Sequence, residues 1–325
     1  MDQDLPTAVP PEDDRMADLL AARSLAGAYA RRPPHPRRVL LPAVLLAMTA
    51  ASTFWAGVTH WDPIPATFLE DAKGPFSVSR LQEGLLYMAA MIGILLAHEM
   101  GHFLMARRNR VPATLPFFLP MPMVPFGTLG AVIAMQGSRA DRRQIFEIGI
   151  TGPLAGLAIA LPVLLLGIQQ LDAAAAPDGG VCFHNPLLLS QAIEWLRPDY
   201  PTPEHLYLSQ FNPLLMAGWV GMLVTGLNML PVSQLDGGHV SYALLGRRAH
   251  SLARTLLVAS IVYIILFDEG YMWVLMLVVV ILLGVDHPPT ADDRVPLTRR
   301  QRVIGWLALT LPVLCIPTRG ISVPF

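Results

Sequence analysis

Charged residues are scarce in this chain. Asp, Glu, Lys and Arg make up only 14% of its 325 residues, against 53% hydrophobic, and the mean hydropathy is +0.48. A soluble globular domain carries about 25% charged residues. The shortfall excludes an ordinary soluble fold and points to a polytopic membrane protein. Neither sign of charge dominates. The formal net charge is −1, which argues against a polyanionic partner such as nucleic acid. Cysteine is scarcer still: Cys182 and Cys315 are too few for a disulfide framework, and neither has a metal-type spacing. Both read as incidental. A cleavable signal peptide is not expected, because the first apolar run begins only near Val39, after a polar, proline-containing leader. Nor is that leader serine-rich in the manner of a transit peptide. Residues 1–38 read as a flexible cytoplasmic tail with at most a short helix over 16–29.

What the chain has instead is long apolar runs. They predict an all-α membrane protein of about seven transmembrane helices, over 39–58, 82–105, 144–171, 211–230, 252–267, 271–285 and 303–317. One further apolar stretch, 113–137, contains Pro116, Pro120, Pro122 and Pro125. Four prolines in ten residues preclude a regular helix. With Gly127, Gly130, Val132 and Ile133, the stretch predicts a re-entrant, membrane-embedded β-hairpin or loop. Irregular backbone at that depth must lie against protein or a watery cavity. The loop 172–210, expected outside, is too short for a well-cored domain of its own. Basic residues test this layout. With the N-terminus in the cytoplasm, the outer side holds only Lys73, Arg80, Arg197 and Arg319 of the 23 Lys and Arg. That asymmetry fits the positive-inside rule and a bacterial inner membrane.

Inside the run 85–105 lies His98-Glu99-Met100-Gly101-His102. Ionisable side chains at bilayer depth are costly and are kept for a partner or a task. On a helix, His98 and His102 are one turn apart and share a face. Two such imidazoles can hold one Zn²⁺ per chain, with Glu99 beside them to handle protons. Chance would produce this pattern in roughly one chain in two hundred of such composition. A catalytic zinc usually takes three protein ligands. Asp236, in Leu235-Asp236-Gly237-Gly238-His239, is the candidate third: an acidic residue at a membrane-depth helix start, on the same side of the membrane as the histidines. Gly237 and Gly238 are expected to let backbone pack against the His-bearing helix. Gly149, Gly152 and Gly156 are expected to let helices approach closely. Glu147 reads as an interfacial residue, His287 as an interfacial residue or one that gates or regulates the site, and His239 as a turn residue or an outer partner of the site.

These residues carry a family resemblance. His98-Glu99-x-x-His102, then Asn228-x-x-Pro231, then Leu235-Asp236-Gly237 resembles the site-2 protease family of intramembrane metalloproteases, in its bacterial and chloroplast-like subgroup. Gly127-Thr128-x-Gly130 looks like that family's substrate-binding strands. The resemblance covers about 85–245 and implies a catalytic core over 82–245; the C-terminal transmembrane helices over 252–317 fall outside it. It implies zinc on His98, His102 and Asp236, and Glu99 as general base and then acid. It implies substrate contacts from Asn228, Gly127, Thr128 and Gly130, and as substrate the transmembrane segment of another membrane protein. No PDZ-like insert is expected, because the loop 172–210 is too short for one. A membrane metal-ion transporter and a proteolytically inactive scaffold of the same fold are the rival readings. A transporter expects a second polar layer along a path, and the sequence offers few other intramembrane charges.

Overall fold

The 31-residue helix at the centre of the molecule follows from an apolar run with a polar stop at each end. The Ser77 hydroxyl accepts the Arg80 N–H at its start, and Arg107 and Arg108 fill its last turn, where cations offset the helix dipole. The computed structural model that contains it describes residues 37–61, 77–172, 180–200, 204–266, 273–317 and 319–322. The chain divides into two units, Met1–Ala43 and Val44–Phe325, and of the first only residues 37–43 are described. The short helix expected over 16–29 lies outside the described residues.

The elements run α1 (Arg37–Val58), α2 (Val78–Arg108), β1 (Phe117–Pro120), β2 (Thr128–Val132), α3 (Arg142–Gln169), β3 (Cys182–His184), α4 (Leu187–Leu196), β4 (His205–Tyr207), α5 (Pro213–Asn228), α6 (Asp236–Leu245), α7 (Arg248–Leu266), α8 (Val274–Leu283), α9 (Arg299–Ala308), α10 (Leu311–Cys315) and β5 (Ile321–Ser322). The fold is mostly helical. Among the described residues, four helices are long and apolar enough to cross a membrane: α1 from Val39, α2, α3 and α7. At about 1.5 Å per residue, α2 and α3 each exceed the ~30 Å hydrocarbon core of a bilayer. Three expected spans are shorter, among them 271–285, whose helix α8 covers only the ten residues Val274–Leu283. The 16-residue α5 is apolar and almost wholly buried within protein. The stretch 303–317 is two short helices, α9 and α10, rather than one span; Pro312 stands in the first turn of α10.

α3 packs against α2, α5 and α6, and α2 packs against α5. The meeting surface of α2, α3 and α5 is the main core, built on Tyr87, Met91, Ile94, Leu95, Leu164 and Trp219. The loop 172–210 is more structured than its length suggests. It supplies β3, α4 and β4, and β5 from the chain's end completes the sheet in the order β4-β3-β5. It needs no core of its own because Phe183, Leu189, Ile193 and Leu206 insert into the main core.

The proline-rich stretch does form an antiparallel hairpin. Phe117 faces Val132, Phe118 faces Ala131, and Ala113 bridges Met135 at its base. Its tip is tied down twice. The Ser52 hydroxyl of α1 donates to Gly127 O at 2.6 Å, and the Tyr87 hydroxyl of α2 donates to Phe126 O at 3.1 Å. Its base packs beside Ala106, near the end of α2. The hairpin therefore runs lengthwise along α2, past the depth of His98 and His102.

Candidate metal centre

Two elements supply the centre. His98 and His102 stand one turn apart on α2, with Nε2 atoms 3.2 Å apart. Asp236 opens α6. Its Oδ2 lies 3.2 Å from His98 Nε2 and its Oδ1 lies 3.2 Å from His102 Nε2. Tetrahedral zinc with bonds of about 2.0–2.1 Å requires neighbouring donors about 3.3 Å apart. The three side chains thus fit zinc in donor type and in spacing. The His102 ring is oriented from behind. Its Nδ1–H donates to Ile148 O of α3 at 2.7 Å, which leaves the Nε2 lone pair free to ligate.

The centre is dry. His98, Glu99 and His102 are 3%, 5% and 6% exposed, and the Asp236 side chain 13%. The Glu99 side chain makes no hydrogen bond among the described residues, yet it lies within electrostatic reach of His102 and Asp236. Its carboxylate is free to engage a water or a substrate. Asn228, the last residue of α5, brings its side-chain nitrogen within 3.3 Å of His98 Nε2.

Small residues make room for these donors: Gly149, Gly152 and Gly156, as expected, but not Gly237 and Gly238. A Cβ added at Gly237 would come within 2.0 Å of Met229 O, and one at Gly238 within 2.2 Å of Ser233 O. Those two glycines therefore serve the turn between α5 and α6 rather than contact with α2. The ligands face α3 instead. A Cβ at Gly152 would lie 2.0 Å from His102 Nε2, one at Gly156 3.1 Å from His98 Nδ1, and one at Gly149 2.8 Å from His239 Cβ. Glycines at every third or fourth residue form one face of α3, and that face is the floor of the site.

The hairpin residues carry local backbone demands. Gly127 has φ +73° and Gly130 φ +101°. The Thr128 hydroxyl donates to Leu119 O and accepts the Gly130 N–H, which locks the turn into β2. β2 packs against α2 and pairs with β1 alone, so its other edge bonds to no strand among the described residues.

Two expectations need correction or sharpening. His287 is not interfacial: it is 7% exposed, and its Nε2 lies 2.7 Å from His239 Nδ1. Glu147 acts as a joint. It binds Asn109 after α2, Arg143 on α3 and Gln301 on α9. The pairing of His239 with His287, 48 residues apart, has no local signature in the sequence.

A buried His-His-Asp centre with an adjacent carboxylate is common to several hydrolase families. Comparison with known proteins decides among them. The model of Peptidase family M50 matches residues 86–267. The chain belongs to this family. The match begins at the turn of α2 that ties down the hairpin and ends just past α7. Curated relatives agree. The chain is 34% identical to probable zinc metalloprotease EGY1, chloroplastic, of Arabidopsis thaliana, over 65% of this chain and 40% of that protein. It is 29% identical to the EGY2 protein of Oryza sativa subsp. japonica, over 60% and 35% respectively. It is 27% identical to an EGY3 protein of the same rice, over 71% and 41%. The chain thus spans well under half the length of these relatives. No solved structure matches it.

Proposed function

We propose that this member of Peptidase family M50 is an intramembrane zinc metalloendopeptidase that hydrolyses a peptide bond in or beside a transmembrane segment of another membrane protein. The observation that carries the reading is the convergence of His98, His102 and Asp236, with donor spacings of 3.2 Å from two helices 128 or more residues apart in sequence.

His98, His102 and Asp236 would hold the zinc. When bound, zinc supplies Lewis-acid polarisation of the scissile carbonyl and lowers the pKa of a coordinated water towards 7. The remaining work falls to the chain. Glu99 takes a proton from the attacking water and returns it to the leaving amine. The Asn228 side-chain amide, beside His98, donates to the carbonyl oxygen as it gains charge. A transmembrane substrate must first unwind, because a helical backbone satisfies its own hydrogen bonds. The open edge of β2 offers replacement partners for the unwound segment, in the manner of strand addition. The course of the hairpin along α2, past the depth of the histidines, supports this role. Gly127, Thr128 and Gly130 set the shape of that edge.

We further infer seven crossings with the N-terminus on the arginine-rich side. Gln301 of α9 binds Glu147 at the start of α3. β5 pairs with β3, and Arg197, which ends α4 between β3 and β4, donates to Leu171 O past the end of α3. The stretch 299–322 thereby follows α3 from end to end, which supports a broken seventh crossing. The basic asymmetry equally suits a bacterial inner membrane and the stromal side of a plastid membrane. The chloroplastic names of the relatives favour the latter setting for those proteins.

The test is cleavage of a reporter transmembrane segment by the full chain in proteoliposomes. Cleavage inside the segment, abolished by Glu99→Gln and by a zinc chelator, is expected. Cleavage only in soluble flanks, or cleavage indifferent to Glu99→Gln, would overturn the reading.

A further inference from the structure

After α8 the chain leaves the apolar region and crosses the same end of the molecule as the metal centre. Over residues 285–294 it is fastened at several points. The Ser233 N–H donates to Val285 O, the Ala291 N–H to Ala140 O, and the Arg142 N–H to Asp292 O. Arg142 also donates from its guanidinium to Ala243 O and Leu244 O at the end of α6. The strap therefore ties α3, α6 and the turn before α6 together. His287 is its one side chain that reaches His239.

Every degree of freedom of His287 is used. Its ring stacks on Tyr242 at 4.4 Å and 13°, while the Tyr242 hydroxyl donates to Asp293 Oδ2 further along the strap. Its Nδ1 lies 2.6 Å from Pro288 O, a pure acceptor, so Nδ1 carries the proton. In the neutral ring Nε2 then has only a lone pair, and the partner at 2.7 Å, His239 Nδ1, must be the donor. Burial supports the neutral form, because it pushes the His287 pKa down to about 4. His239 in turn sits three residues after Asp236, on the same face of α6, and its Cβ abuts Gly149 of α3. The His239 ring is held between the floor of the metal site and the strap.

We propose that His287 is a positioning residue for the metal centre: by accepting the His239 Nδ1–H it fixes the first turn of α6, and with it the Asp236 carboxylate, against His98 and His102. This rests on the zinc reading above. His287 touches neither the ligands nor a reacting atom, and it acts through His239 and the helix that carries Asp236. Outer partners of this kind typically contribute about 10- to 100-fold in metal affinity.

The experiment compares the full chain in detergent with its His287→Gln and His287→Met variants, which have side chains of similar length. Gln offers a carbonyl oxygen to the His239 N–H, and Met offers only a poor acceptor. The readout is zinc retention under titration with a chelator of known affinity, beside the melting temperature of each metal-stripped protein. The wild type should hold about one zinc per chain, and the Met variant should release it at chelator levels on the order of 10- to 100-fold lower. The Gln variant should recover most of that loss. Equal retention by wild type and Met variant would overturn the role of His287 and leave the zinc reading standing. Equal loss in Gln and Met variants with wild-type melting temperatures would overturn the hydrogen-bond argument, and the Gln variant alone decides this if the Met variant does not fold. A wild type without zinc would overturn both.

Discussion

A methyl group at residue 152 would sit 2.0 Å from His102 Nε2, in the space a ligand atom occupies. His102 cannot simply swing away, because its Nδ1 is held by Ile148 O. Gly152→Ala is therefore expected to cut zinc affinity by at least the 10- to 100-fold typical of a disturbed ligand shell, which chelator titration would measure. Glu99→Gln should behave in the opposite way. It removes the proposed proton carrier and leaves the three proposed ligands intact, so zinc should stay while cleavage falls by about 10²- to 10⁴-fold. The residue scale was the most legible from sequence. His98, Glu99 and His102 announce themselves by spacing in an apolar run, and Asp236 by standing among glycines at a helix start. The roles of individual glycines were not legible. Nothing local distinguishes Gly152, which faces a ligand, from Gly237, which faces a turn carbonyl; only the packing partner does.

Among the elements, the hairpin and the strap are held by few bonds. Ser52 and Tyr87 anchor the hairpin tip from two different helices. Ser52→Ala and Tyr87→Phe each delete one hydrogen bond, worth about 1 kcal/mol net. Together they should raise KM for a transmembrane substrate several-fold and leave zinc content unchanged, which steady-state cleavage beside metal analysis would show. The strap should respond to pH. The His287 pKa is lowered from 6.5 to about 4, so the unfolded chain takes up its proton first as pH falls. Its effect on stability is thus nil above pH 6.5 and becomes progressively unfavourable from there down to about 4. The groups facing it are His239, His250, Tyr242 and Asp293. The Asp293 carboxyl, held below its usual range by Thr290 and Tyr242, titrates lower still. Melting temperature should therefore fall between pH 6.5 and 4.5 more steeply in the wild type than in His287→Gln. The hairpin was legible because proline forbids the alternative helix. The strap was not, because its bonds to other elements join residues 32 to 151 positions apart.

For the molecule as a whole, apolar runs gave the helices, and the basic asymmetry carries the orientation proposed above. They did not give depth. α5 reads as a span in sequence, yet it is 16 residues long and enclosed by α2, α3 and α10. Burial in protein and burial in lipid ask for the same apolar composition. The last stretch likewise reads as one span and folds as two short helices. The account stands or falls on whether two separated helices build one metal centre. The most direct measurement is the zinc content of the purified full chain, beside Asp236→Ala and Glu99→Gln. About one zinc per chain, lost in Asp236→Ala and retained in Glu99→Gln, is the predicted result. Zinc absent from the wild type, or indifferent to Asp236→Ala, would contradict the account.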